Sequence, residues 1–305
     1  MCEYVRLMSA KRFLLVLVLV AVGWAHAACP PAGQSKDSLQ ALKAAQWRVA
    51  SSDAETARQM LALELLDCLA DADPVLRDEI AFEALSTWMR AKALPAATLQ
   101  AMRTLLQSML AEPADGAGFR QAFAALTLAE IARVDRLGLF LSADERASLI
   151  EQGTRYLSGV RDYRGHDARD GWRHGVAHGA DLMLQLSLNP QLERAQGEAL
   201  LKAIASQVMP AGDHFYRYGE PQRLMAPVFY LGRRGWWQVE DWQAWFDALL
   251  ARRAPGSPAT ETTLAQRHNL SAFLSALYVT VQEQGDDAMK QRLLPGLRKA
   301  LKAAG

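Results

Sequence analysis

From residue 37 onward the chain carries one helix pattern after another, and this succession narrows its possible folds more than any other feature. Ser52-x-x-Glu55 reads as a capping box opening a run with Met60, Leu61, Leu65 and Leu66 at helical spacing. Asp73 before Pro74 reads as N-cap and first helical residue of a run through Ile80, Leu85 and Met89. A further run follows Leu94-Pro95 and carries Leu99, Met102, Leu106 and Met109; a glycine-containing gap at 113–118 ends it. Phe119 to Val134 comes next, and Ser142-x-x-Glu145 is a second capping box for a helix ending near Val160. No run alternates apolar and polar residues between hairpin turns, so strands are not expected. The expectation is an all-α fold of stacked antiparallel helix pairs. An irregular α-solenoid of the HEAT or armadillo kind is favoured over a large helical bundle, because many helices of similar length must each find neighbours. No strict sequence period is present.

Three irregular stretches interrupt the pattern: Asp162 to Gly171, Pro210 to Pro221 and Arg253 to Glu261. The first, DYRGHDARDG, is charged, holds two glycines and lacks aliphatic residues, so a surface loop is expected, leading into a helix from near Trp172.

The N-terminus reads differently. Arg6, Lys11 and Arg12 precede an unbroken apolar run from Phe13 to Val22, and Ala25-His26-Ala27 follows. This is the pattern of a secretory signal peptide over 1–27, with an apolar run too short to span a bilayer. Met8-Ser9-Ala10-Lys11-Arg12 would suffice as the basic region, so translation could start at Met1 or Met8. Lipidation of Cys29 is disfavoured, because no Leu-like residue stands three positions before it. The expected organisation is a signal peptide at 1–27, a flexible tail at 28–36 and a single all-helical domain at 37–305. The expected location is the periplasm or the exterior.

Removing 1–27 takes away three basic residues and one acidic one, so 34 Lys and Arg against 33 Asp and Glu become 31 against 32. This near-neutral balance argues against nucleic acid or an anionic membrane as partner. No other transmembrane run follows. Cys29 and Cys68 are the only cysteines left, and in an oxidising compartment they can pair; a buried Cys68 with a free Cys29 is the alternative.

The most unusual segment is GWRHGVAHGAD, residues 171–181. On a helix, His174, His178 and Asp181 at i, i+4 and i+7 share an arc of about 60°. Trp172, Val176, Gly179, Met183 and Leu186 take another arc and are expected to pack inward. Two imidazoles and a carboxylate make His174, His178 and Asp181 a candidate divalent-metal set. A zinc-protease helix would carry Glu after the first His, where this chain has Gly175. A further ligand would come from His166, Asp162 or His214. The bland reading is that the three residues hydrogen-bond to neighbouring loops and orient them. Gly175 and Gly179, four apart, allow close approach of another element at about 1 kcal/mol each of helix propensity. Arg164 and Arg173 are candidates for a bound anion or carboxylate, with loop salt bridges to Asp162, Asp167 or Asp170 as the alternative. Among Trp236, Trp237, Trp242 and Trp245 some must face the core, which argues against a sugar-stacking platform. No phosphate loop, nucleophile elbow or Cys-rich metal knuckle is present, and no cofactor is required, although a divalent metal is possible.

Leu76-Arg77-Asp78-Glu79, Arg120 to Asp135, Asp162-Tyr163-Arg164-Gly165 with GWRHGVAHGAD, Gly219-Glu220-x-x-Arg223-Leu224 and Asn269-x-x-x-Phe273-Leu274-x-x-Leu277-Tyr278 together resemble a bacterial family, domain of unknown function 2785. The resemblance covers most of the chain and implies an all-α, helical-repeat-like fold, with no particular reaction. It marks His174, His178, Asp181, Glu220, Arg223 and Asn269 as polar positions able to share one concave surface. Gly175, in place of a better helix former, and the signal peptide depart from what the resemblance leads one to expect.

Three functions are compatible with these residues. One is a non-enzymatic binding or scaffold module whose concave surface takes a periplasmic protein or peptide, using Arg164, His174, His178, Asp181, Glu220, Arg223 and Asn269. The second is a metal-dependent hydrolase-like enzyme centred on His174, His178 and Asp181, with Glu220 as general base. The third is a purely structural envelope protein. Whether the chain is an enzyme is left open.

Overall fold

A computed structural model describes residues 29–50, 53–253 and 259–304. The signal-peptide reading of 1–27 lies outside these residues. The described chain is all-α, with helices α1 (Lys36–Ala44), α2 (Ala54–Cys68), α3 (Glu83–Arg90), α4 (Ala96–Ala111), α5 (Arg120–Leu137) and α6 (Ala143–Gly159) in its first half. The second half holds α7 (Gly175–Ser187), α8 (Arg194–Val208), α9 (Glu220–Arg233), α10 (Val239–Ala251), α11 (Glu261–Gln284) and α12 (Asp287–Ala304). A π-helical segment, Val75–Phe82, runs directly into α3. No described helix is long and apolar enough to cross a membrane.

The helices form two rows. α3, α5, α7, α9, α11 and α12 pack each on the next, and so do α2, α4, α6 and α8; the rows meet where α4 packs on α5, α6 on α7 and α8 on α9. α5 and α7 are the most enclosed. α5 buries Ala122, Ala124, Ala125, Ala129 and Ala132 along with Phe123, Leu128 and Ile131, so its apolar surface extends nearly all round, as a central helix requires. α7 buries ten of its thirteen residues.

The cap chemistry is where the sequence places it in most cases. Ser142 and Glu145 form the expected reciprocal box at α6, with Ser142 N–H donating to Glu145 Oε2 at 2.7 Å. Asp73 Oδ1 accepts from Val75 N–H at 2.9 Å, and the Asp73 carbonyl accepts from Arg77 N–H at 3.0 Å. At α2 the cap is Asp53, whose Oδ1 accepts from Thr56 N–H at 3.0 Å; Ser52 of the expected box lies outside the described residues. A disulfide between Cys29 and Cys68 ties the segment before α1 to the end of α2.

Two expectations are corrected. The stretch 162–171 contains a short antiparallel hairpin, β1 (His166–Asp167) with β2 (Gly171–Trp172), pairing His166 with Trp172. Its strands are two residues long, too short to leave an alternating pattern. Helix α7 starts at Gly175, three residues after Trp172, because the ladder continues past the hairpin: Arg173 N–H donates to Gly165 O at 2.9 Å and His174 N–H to Arg164 O at 3.1 Å.

Candidate functional site

The hairpin is clamped from below by Arg77, a charged side chain with no exposed surface. Its Nη2 donates to the Asp170 carbonyl at 2.7 Å, its Nη1 to the Asp71 carbonyl at 2.8 Å, and its Nε to Asp78 Oδ1 at 2.8 Å. The guanidinium lies 3.9 Å from the centre of the Phe119 ring, and that of Arg173 lies 4.5 Å from the same ring. Burial pushes the Asp78 carboxyl up, against the opposing pull of Arg77. On the other side the hairpin meets the segment before α9: a Cβ at Gly165 would stand 2.0 Å from the Tyr218 ring, so only glycine fits beneath it.

His174 sits between hairpin and helix in the left-handed region, φ 54° and ψ 35°, where a non-glycine residue stores about 1–3 kcal/mol of strain. Its carbonyl accepts from His178 N–H at 3.0 Å, and its ring stacks under Trp172 with centroids 4.8 Å apart. His174 Nε2 lies 3.6 Å from Glu220 Oε1, both side chains being buried, and has no hydrogen-bond partner. Glu220 Oε2 accepts from Tyr218 N–H at 2.9 Å. Burial alone would raise the Glu220 carboxyl. The facing His174 and the backbone N–H groups of Glu220 and Tyr218 outweigh it and hold it below the usual range.

His178 is buried against Phe123, with ring centroids 5.0 Å apart, and its Nδ1 is unpartnered. Burial, reinforced by His174 and Arg223, lowers its imidazole to about 3, while a hydrogen bond with the Ala122 backbone pulls the other way. The ring is therefore neutral at ordinary pH. Asp181 is bound by Arg223, Nη1 to Oδ1 2.7 Å, yet burial still pushes its carboxyl up to about 6.

His174, Glu220 and His178 thus come together, and Asp181 with Arg223 flanks them. Of the residues expected to pack inward, Val176, Gly179, Met183 and Leu186 do so and His178 is buried with them, whereas Trp172 is 38% exposed and His174 is buried in its place. The cause is the left-handed residue at 174, which takes both Trp172 and His174 off the helix. As a metal set the three residues do not converge, since Asp181 is engaged by Arg223. Among the described residues no group of three or more His, Cys, Asp or Glu is placed to hold an ion. The further candidates have other partners: His166 lies against Trp172, Asp162 is in an ion pair with Arg164, and His214 is stacked on Tyr163. Arg164 also donates to the carbonyls of Gly116 and Ala117, so it ties two loops together.

Asn269 is fully buried, and this corrects its assignment to a concave surface. Its Oδ1 accepts from Tyr216 N–H at 2.9 Å and its Nδ2 donates to the His214 carbonyl at 2.8 Å, so α11 holds the 214–216 loop in place. Gly175 and Gly179 serve close packing against α6. A Cβ at 175 would meet the Tyr156 hydroxyl at 3.1 Å, and one at 179 the Leu157 Cδ1 at 3.0 Å. Of the four tryptophans, Trp242 and Trp237 are in the core, as their spacing requires.

Sequence reading passed over the surface above His174. Trp172 and Tyr218 are 38% and 40% exposed, their rings meet edge to face with centroids 5.5 Å apart, and His166 borders Trp172. Tyr218 carries no motif signal; it is placed by the close approach of Gly165, by Glu220 accepting from its N–H and by its own hydroxyl donating to the His166 carbonyl at 3.3 Å. Arg77 was visible only within the 76–79 motif; nothing in the sequence announces that it reaches Asp170, 93 residues away.

No curated protein and no solved structure matches the chain. The family model described as Protein of unknown function (DUF2785) matches residues 105–279. That span runs from within α4 to within α11 and contains the hairpin, His174, His178, Asp181, Glu220, Arg223 and Asn269, whereas the 76–79 motif lies before it. The match covers more than half of the chain, which therefore belongs to the DUF2785 family.

Proposed function

We propose that this protein is an exported helical-repeat module that binds an extended peptide segment of a partner on the ledge formed by Trp172 and Tyr218. The observation that carries the reading is this pair of exposed aromatic rings packed on each other beside a strained, buried His174, on which the Trp172 ring stacks. Large aromatic side chains at a surface are the commonest binding anchors, because they cover much area with few rotatable bonds. A residue held at positive φ needs the surroundings to over-determine it, and such strain clusters at functional sites. Here Trp172 above and Glu220 below supply that constraint. Two neighbouring rings, each more than a third exposed, suit a chain lying across them. The two rows of helices support the irregular α-solenoid reading. The Cys29–Cys68 pairing and the 1–27 sequence pattern support export to an oxidising compartment.

The test is selection of a displayed random-peptide library on the purified protein, followed by calorimetry of enriched peptides. They should bind wild type and lose at least about tenfold in affinity, or 1.4 kcal/mol, with Trp172→Ala or Tyr218→Ala at unchanged unfolding midpoint. Peptides that bind the variants as well as wild type would sink the reading.

One observation favours the metal-dependent enzyme as a second reading: His174 Nε2 and His178 Nδ1 are both buried without a hydrogen-bond partner, on rings 5.8 Å apart. Asp181 would have to leave Arg223 to join them. Metal analysis of purified protein decides it. About one equivalent, lost in His178→Ala, supports a metal site. A substoichiometric content unchanged by that variant removes it.

A further inference from the structure

A second site lies on the α6 side of the same sequence block. A cleft of about 650 Å³ opens between the end of α4, the start of α5 and the end of α6, and it reaches Arg173 and Gly175. This is the size range of sites for small organic ligands. None of Trp172, Tyr218, Glu220 and Arg223 lines it, so it stands apart from the ledge.

Its chemistry has two halves. One is apolar: Leu110, Ala122 and Val160 line it, with the Tyr156 ring, whose hydroxyl is turned to the Gly175 carbonyl at 3.2 Å. The other half is basic, with Arg155, Arg161, Arg164 and Arg173 all on the wall. Three of these guanidiniums are steered by backbone carbonyls. Arg161 Nη1 donates to Val160 O at 2.7 Å, Arg164 Nη2 to Gly116 O at 2.8 Å and Arg173 Nε to Ala117 O at 2.7 Å. A guanidinium has five N–H donors, so each keeps some in reserve. Three carboxylates line the cleft as well, Glu112, Asp115 and Asp162. Asp162 pairs with Arg164, Glu112 lies 3.6 Å from Arg120, and Asp115 Oδ1 accepts from Gly118 N–H. Arg155 also pairs with Glu151 and Arg173 with Asp170, so Arg161 is the one guanidinium of the wall that is held by carbonyls alone, those of Ser158 and Val160, and its charge faces no carboxylate partner among the described residues.

We infer that this cleft binds an organic monocarboxylate with an apolar body. The carboxylate would be held by the arginine wall, where planar two-point hydrogen bonding suits it, and the body would lie on Tyr156 and the aliphatic floor.

The test uses 2-naphthoate as the probe and its neutral amide, 2-naphthamide, as control, read by calorimetry and by the unfolding midpoint. Two variants accompany wild type. Gly159→Phe fills the cleft from a position where an added Cβ meets nothing within 4 Å. The second, Arg155→Gln with Arg161→Gln, removes two solvent-exposed charges from its rim. Naphthoate is expected to bind wild type, the amide at least about tenfold more weakly, and both variants to weaken naphthoate about tenfold or more. Equal binding of acid and amide overturns the proposal. So does failure of naphthoate to bind at about 10 mM, or binding that neither variant weakens. Should Gly159→Phe fail to fold, the double arginine variant decides alone.

Discussion

Glu220 and His174 face each other across 3.6 Å, Oε1 to Nε2, inside the protein and directly beneath the Trp172 ring. The carboxylate is the fixed member, since it also accepts from the Tyr218 backbone. A buried acid kept below its ordinary value of 4.5 stabilises the fold above that pH, and the contribution is lost as pH falls through the lower folded-state value. Glu220→Gln should therefore cost about 1–3 kcal/mol at pH 7. The gap to wild type should narrow below pH 4.5. Urea unfolding of both proteins from pH 7 to 3 checks this, and a gap that stays constant would rule out the assigned ionisation.

His178 gives the acid limb its own slope. Its folded value, about 3, lies below the ordinary 6.5, so the unfolded chain takes up the proton first and stability falls as pH drops through this window. Between pH 6.5 and 4.5 wild type should lose about 2–3 kcal/mol more than His178→Leu. Parallel curves for the two proteins would show that the imidazole titrates normally.

The glycines of α6 and α7 separate helix propensity from packing. Gly179→Ala gains about 1 kcal/mol of propensity, but the new Cβ crowds Leu157, so overpacking of about 1–3 kcal/mol should leave the variant less stable. Gly159→Ala meets nothing within 4 Å and should be neutral or stabilised by up to about 1 kcal/mol. Thermal melts that rank the two the other way would contradict the close approach of α6 and α7.

Asn269→Leu should cost about 2–4 kcal/mol, because it strands the Tyr216 N–H and the His214 carbonyl inside the protein. Its effect should reach the ledge, since Tyr218 follows two residues later, and selected peptides should lose affinity in proportion. Unchanged stability would mean that the loop does not depend on α11.

Joining residues 39 apart, the Cys29–Cys68 link should contribute about 2–4 kcal/mol. Dithiothreitol should lower the midpoint of wild type and leave Cys68→Ser unaffected, with the variant starting from the lower value. Equal midpoints with and without reductant would show that the bond does not form.

Most elements of the fold were legible because their signals are local. The Ser142–Glu145 box, the Asp73-Pro74 start and the spacing of Leu99, Met102, Leu106 and Met109 each act within a turn or two, and each is where the sequence puts it. The hairpin was not legible, since two-residue strands give no period and their pairing is completed by Arg173 and His174, which read as helix. The same error assigned Trp172 and His174 to the wrong faces.

By itself the sequence determined an all-α chain with one concentrated polar block, because helical periodicity and capping depend on neighbours along the chain. Tertiary structure alone decided what that block does in space. It turned His174 left-handed, buried it against Glu220 from 46 positions away, engaged Asp181 with Arg223 and withdrew Asn269 into the core. Hydrogen bonds and ion pairs between distant segments depend on how helices stack, and helix stacking is set by volume and close packing across the whole chain rather than by any motif.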